Sequence, residues 1–341
     1  MTQQHGYQQE WPAVPPAAPA YRTFPHSEPT PYHLMLRTWT YAWWKPVVGV
    51  VIAVLGMLVV MPLVMLPLLA AAVALEGGDF FDKFQKAMTL QTVDPAALLY
   101  LNAVLGSMIL VTWLIIRLVH RMRPRWLASV VPRLRWRFLL LCLPVAVLAL
   151  ATQIAVGALL PSGAGEDLGG LNHFTTGTAL SALVVLLTTP LQAAGEEYLF
   201  RGYLLMAFGS LFRSKWVAIV ATATLFALAH GTQNFPLFFD RFAFGLIAGW
   251  LVTRTGGLEA GIALHVLNNF LAFGLALAFG DLTSTLNVSA VGWWNIPLTL
   301  TQSVVYTGVV LVLARRMSLQ TRTRPPGYGP EASRGTFVAR A

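Results

Sequence analysis

Between Pro46 and Leu75 the chain carries no charged side chain, and several later stretches are nearly as apolar. About 20 mainly apolar residues in a helix cross the hydrocarbon core of a bilayer, and backbone polar groups there must be satisfied within the helix itself. Runs of this length therefore confine the chain to a bundle of membrane-spanning helices. Composition agrees: 11% of the 341 residues are charged, against about 25% in a soluble domain. The expected fold is an all-α polytopic membrane protein with about eight transmembrane helices. The spans are placed at 46–75, 96–116, 138–160, 177–200 with a helical extension to 212, 216–231, 235–253, 257–280 and 291–314. Trp43 and Trp44 before the first span, and Trp293 and Trp294 before the last, read as interface anchors. Residues 1–36 are rich in Pro and poor in aliphatics, which predicts a disordered cytoplasmic tail and no signal peptide. Residues 317–341, with Pro325, Pro326 and several arginines, read as a disordered basic tail drawn to anionic lipid. Residues 37–176 then hold three spans, 177–275 a core segment and 276–316 the last span.

The formal net charge of +9 does not point to nucleic acid, because the basic residues lie between apolar spans rather than in one patch. Arg117, Arg121, Arg123, Arg125, Arg133, Arg135 and Arg137 follow the second span with no acid among them. Arg213 and Lys215, Arg254, and Arg315 with Arg316 fall in alternate connections. Glu76, Asp79, Asp82, Asp94, Glu166, Asp167 and Asp281 fall in the others. By the bias of Lys and Arg toward cytoplasmic loops, both termini are expected in the cytoplasm, across a bacterial plasma membrane. The lone Cys142 sits in an apolar span, so no disulfide framework exists.

Inside the fourth span stands Ala193–Gly202, A-A-G-E-E-Y-L-F-R-G, with two carboxylates and a guanidinium in apolar surroundings. An ionisable residue in a membrane span costs at least a few kcal/mol and marks a functional site by default. Glu197 and Arg201 have the i,i+4 spacing and order of a helix ion pair. Glu196 points about 100° away, with no such partner in its own helix, and is left to face a reacting centre. His230 ends a second polar fragment, F-A-L-A-H from Phe226, in which Phe226 reads as packing. His265 and Asn269, four apart in H-V-L-N-N, share a helix face and can both donate to one oxygen. The site is thus expected among spans four, five and seven, toward the cytoplasmic side. Asp240 and Arg241 are expected to neutralise each other or to reach toward the interface. No G-x-S-x-G, H-E-x-x-H or catalytic cysteine motif competes, so water activated by Glu and His, with or without a metal, is the remaining chemistry.

Taken together, E-E-x-x-x-R at Glu196, Glu197 and Arg201, F-x-x-x-H at Phe226 and His230, and H-x-x-x-N at His265 and Asn269 resemble the three signatures of the CAAX protease and bacteriocin-processing family of intramembrane proteases. The resemblance covers about residues 177–275. It implies that Glu196 and His230 activate the attacking water, that His265 and Asn269 line the oxyanion site, and that Glu197 and Arg201 support the first motif. The implied activity is hydrolysis of a peptide bond in a membrane-associated protein or peptide, with no substrate or oligomeric state specified. Glu196, His230 and His265 also form a candidate ligand set for one divalent metal such as zinc. Metal-free activation is favoured, because no short-spaced ligand pair exists and Glu196 cannot readily be both ligand and base. Two other readings are a transporter or proton relay, against which the polar residues cluster in one half of the chain, and an inactive family member serving as scaffold or immunity protein.

The loop charges make a topology prediction: reporter fusions at Arg125 and after Arg316 report cytoplasm, and a fusion near Asp82 reports the outside. An external signal at Arg125 overturns the orientation.

Overall fold

The computed structural model describes residues 24–160 and 170–327; the expectations for residues 1–23, Glu166, Asp167 and 328–341 lie outside them. Eleven helices are used below: α1 Trp44–Val64, α2 Leu66–Glu76, α3 Phe80–Met88, α4 Pro95–Leu118, α5 Trp136–Gly157, α6 Thr176–Phe212, α7 Lys215–Leu228, α8 Phe235–Thr255, α9 Glu259–Phe279, α10 Leu282–Leu286 and α11 Asn295–Arg316. Seven of them are long and apolar enough to cross a membrane: α1, α4, α5, α6, α8, α9 and α11. The chain is an all-helical, integral multi-pass membrane protein.

Two expected spans come out differently. The run 46–75 breaks at Met65, where Pro62 and Pro67 each occupy the first turn of a new helical segment; a proline inside a helix removes a backbone donor and crowds the preceding turn. The fifth expected span is the 14-residue α7, only about 21 Å long at 1.5 Å per residue. It stops where Gly231 takes φ +79° and the Asn234 side chain caps α8 by accepting from Leu237 N. Helices α3 and α10, absent from the expected spans, start at Asp79 and Asp281, whose carboxylates accept from Asp82 N and Ser284 N.

α6 is the axis of the bundle, packed on α4 along one side and α9 along another. A Cβ on Gly195 would lie 2.1 Å from the Leu105 carbonyl oxygen and 2.9 Å from Gly106 Cα, so only glycine permits this crossing of α6 with α4. On the outer half of α6, Leu180, Leu183, Leu187 and Leu191 are exposed, an apolar stripe at helical spacing that fits contact with lipid. α7 and α8 form a hairpin, with Gly245 of α8 set against Ala223 of α7. α11 closes the other flank on α5 and α8.

The loops sort to two ends. At one end meet the segments expected in the cytoplasm: Thr40 Oγ1 donates to His120 O, Arg37 Nε to Ser210 O at 2.8 Å, and Val130 N to Gly256 O at 2.8 Å. At the other, Val93 N donates to Thr283 Oγ1 and Asn172 N to Ala278 O.

Residues 24–36 and 317–327 correct the expectation of disordered tails. Tyr32, Met35 and Leu36 are fully buried, and the Tyr32 hydroxyl donates to Leu127 O. Thr30 and Thr323 exchange two hydrogen bonds of 2.9 Å, binding the two tails to each other. The proline-rich average of the first 36 residues conceals this aromatic and aliphatic cluster. Together these segments cap the bundle end.

The cap holds buried neutral histidines. His26 donates from Nε2 to Met35 O, and burial lowers its pKa from 6.5 to about 4. His120, lowered to about 4 by burial and by the Lys45 charge, approaches the Tyr203 hydroxyl at 3.2 Å. The folded state disfavours their protonation, so the stability they allow is full above pH 6.5 and drains as pH falls toward 4. The slope is up to about 1.4 kcal/mol per pH unit for each histidine. Melting of the detergent-solubilised protein is expected to fall between pH 7 and 5, and His26→Gln with His120→Gln to flatten that fall; an equal slope in the variant overturns the assignment.

Candidate active site

α6 winds as a π-helix over Tyr198–Leu204, immediately after Glu196 and Glu197. Such insertions cluster at functional sites because they re-aim the side chains around them. Glu197 and Arg201 are both wholly buried, and Glu197 Oε1 lies 2.9 Å from Arg201 Nη1. The same Oε1 lies 2.9 Å from His265 Nδ1. Because Glu197 is paired with Arg201 and accepts, His265 Nδ1 is the donor, and Nε2 is the nitrogen turned toward Glu196, 3.6 Å from its Oε2. His265 thus stands between two carboxylates. The expected pair is present, and it also orients the imidazole.

The Arg201 guanidinium is held largely by aromatic faces. Its central carbon lies 4.1 Å from the Phe226 ring centroid and 4.9 Å from that of Phe244, geometry for cation–π attraction. None of the three guanidinium nitrogens of Arg201 makes a hydrogen bond among the described residues, Nη1 meeting Glu197 as an ion pair only, and Oε2 of Glu197 has no hydrogen-bond partner there either. Gly261 leaves room for that oxygen, since a Cβ there would lie 2.5 Å from it. Phe226 does more than fill space: its ring stands 4.7 Å from that of His230 and 5.8 Å from that of His265. Phe244 packs on His265 at 5.0 Å.

His230 is exposed, just beyond the end of α7, with Nδ1 2.7 Å from Phe226 O. It meets the other residues through the Phe226 ring. Among the described residues, no three His, Cys, Asp or Glu side chains stand where they can share one ion. Glu196, His230 and His265 as placed do not form a three-ligand set, and no step below is routed through a metal.

Glu196 has no charged partner in its own helix but does have a neutral one there: Gln192 Nε2 donates to Glu196 Oε1 at 2.5 Å. Gln192 Oε1 accepts from Asn269 Nδ2 at 2.8 Å. His265 and Asn269 share the face of α9 turned to α6, as expected, but each has one nitrogen already engaged by α6. Asp240 and Arg241 take different partners: Thr299 donates to Asp240 Oδ1, and Arg241 Nη1 donates to Gln233 Oε1 at 2.9 Å. A second buried ion pair went unread in the sequence. Arg135 donates to both carboxylate oxygens of Glu259 at 2.8 and 2.6 Å, fixing the start of α9 to the start of α5.

Gln192, Gly261 and Phe244 are the neighbours of the site that the motifs omit. Gln192 lies four residues before Glu196 and Gly261 four before His265, spacings available in the sequence. Nothing local announces Phe244.

Removing one member of a buried ion pair leaves an uncompensated charge and costs about 3 to 5 kcal/mol. Arg201→Met is therefore expected to lower the melting temperature sharply. The double variant Glu197→Gln with Arg201→Met is expected to recover part of the loss, since the glutamine oxygen still accepts from His265. A double variant less stable than Arg201→Met overturns the pairing.

Comparison with known proteins locates this cluster. Residues 178–271 match the family model described as type II CAAX prenyl endopeptidase, Rce1-like, a span that contains every residue of the cluster. The chain is 24% identical over 232 residues to the uncharacterised protein YyaK of Bacillus subtilis strain 168, covering 64% of this chain and 76% of that protein. It is 35% identical over 89 residues to an uncharacterised 24.3 kDa protein of Escherichia coli, covering 26% of this chain and 40% of that protein. No solved structure matches. The family suggested by the three motifs is the one whose model the core matches: residues 178–271 are similar to the Rce1-like type II CAAX prenyl endopeptidases.

Proposed function

We propose that this protein is an intramembrane endopeptidase that hydrolyses a peptide bond of a membrane-associated protein or peptide, with Glu196 as general base. The observation that carries the reading is the approach of Glu196 Oε2 and His265 Nε2 to 3.6 Å, inside a buried ionisable cluster of the matched segment. Proteins bury such a cluster only with a compensating use, since each unpaired charge costs several kcal/mol.

In the proposed reaction a water held at Glu196 gives its proton to the carboxylate while its oxygen bonds to the scissile carbonyl carbon. The exposed His230, with Nδ1 tied to Phe226 O, has Nε2 left to hold that water. The carbonyl oxygen becomes an oxyanion, for which His265 Nε2–H and the second N–H of Asn269 are the donors. The proton on Glu196 then passes to the leaving nitrogen, the C–N bond breaks, and the products are a carboxylic acid and an amine. Preorganised donors of this kind are worth about 10²–10³ in rate each. We further place both termini in the cytoplasm of a bacterial cell, with the site in the half of the bundle nearer the cap. His265 lies six residues past Glu259 along α9, about 9 Å from that end.

Glu196→Gln keeps the shape and the hydrogen bond from Gln192 but cannot take a proton. It is expected to lower cleavage of a detergent-solubilised membrane peptide by about 10²-fold or more without lowering the melting temperature. Full activity in folded Glu196→Gln overturns the reading.

A further inference from the structure

Gln192 belongs to none of the three motifs, yet it joins two of them by direct hydrogen bonds at both ends of one group. It sits one turn before Glu196 on α6 and is 5% exposed, in a span where an unpaired amide costs a few kcal/mol. Its Nε2 donates to Glu196 Oε1 at 2.5 Å and its Oε1 accepts from Asn269 Nδ2 at 2.8 Å. We propose that Gln192 is a positioning residue that holds the Glu196 carboxylate and orients the Asn269 amide toward the same reacting atoms. The proposal rests on the endopeptidase reading for what those atoms do.

The direction of the chain follows from what each group is able to do. An ionised carboxylate only accepts, so the Gln192 amide must turn its nitrogen to Glu196 and its oxygen to α9. That oxygen only accepts in turn, so Asn269 must present its NH2 group rather than its carbonyl. One Asn269 N–H is used on Gln192, and the other remains to donate to an oxyanion. Without Gln192 nothing in this set prevents the amide from flipping and presenting a carbonyl where a donor is required. The second consequence concerns Glu196 itself. One carboxylate oxygen is fixed by Gln192, so Oε2, on the side of His265, is the oxygen left for the water. His265 on α9 is held by Glu197 through its other nitrogen. Both walls of the water position are thereby set from outside it. A merely structural bridge between α6 and α9 would make the same two contacts but would affect stability rather than turnover.

Gln192→Met keeps the volume and removes both hydrogen bonds. On the full chain in detergent, with a fluorogenic membrane peptide, kcat is expected to fall at least tenfold while KM stays within about twofold, a fall of about 1.4 kcal/mol or more in transition-state stabilisation. In an Asn269→Ala background the same substitution is expected to cost much less, because the chain from Glu196 is already cut. A third reading does not need turnover. The carboxylate infrared band assigned to Glu196, as the difference between wild type and Glu196→Gln, is expected to shift in Gln192→Met. Wild-type kcat in folded Gln192→Met overturns the proposal, as do fully additive losses or an activity loss that only tracks melting. An unshifted Glu196 band overturns it whatever the substrate. If wild type cleaves no peptide while the band does shift, the endopeptidase reading fails and the positioning of Glu196 stands.

Discussion

Glu197 is the residue on which the rest of the core depends. In a low-dielectric interior a carboxylate is tolerated only when paired and hydrogen-bonded, and one oxygen of Glu197 meets both the Arg201 guanidinium and His265 Nδ1 at 2.9 Å. These contacts tie the helix-internal ion pair of α6 to the imidazole of α9. Arg201 in turn requires Phe226 of α7 and Phe244 of α8 as faces for its charge. Four helices are therefore drawn together around one compensated charge, and their close approach needs small residues at Gly245 and Gly261. The packing is of the kind by which membrane helices associate, through close backbone approach rather than exclusion of water.

The division of labour between the adjacent glutamates follows from this. Glu197 is engaged through Oε1 by two partners that also hold the fold. Glu196 points elsewhere and has one neutral donor, Gln192, and one imidazole nitrogen at 3.6 Å. A carboxylate held at one oxygen and open at the other suits a base, while one engaged by a guanidinium and an imidazole suits a support. The π-helical turn from Tyr198 begins directly after the pair, so the regular helix ends where the two side chains must diverge.

Much of the architecture was legible because bilayers impose it. The length of apolar runs located most of the spans, since it expresses a cost that acts locally along the chain. The misreadings share one cause, which is that tertiary partners act non-locally. Averaged composition made 24–36 a tail, although Tyr32, Met35 and Leu36 find a surface on which to bury. The length of apolar sequence made 216–231 a full span, although α7 stops at Leu228 and hands over to a turn and cap.

The site residues were legible for another reason: ionisable side chains in an apolar helix stand out against their background. That signal selects residues expensive to bury, and so it finds Glu196, Glu197, Arg201, His230 and His265. Groups that are cheap individually and decisive in place escape it. Gln192 is neutral, Gly261 has no side chain and Phe244 is one apolar residue among many, yet one holds Glu196 by a hydrogen bond, one makes room for Glu197 and one faces the charge of Arg201. Arg135 and Glu259 escaped for a related reason. Each sits at a helix start among residues already explained by topology, and their bidentate contact joins positions 124 residues apart. A motif names the groups that a site cannot replace, whereas the conformation of those groups is held by residues whose value appears only once the helices are packed.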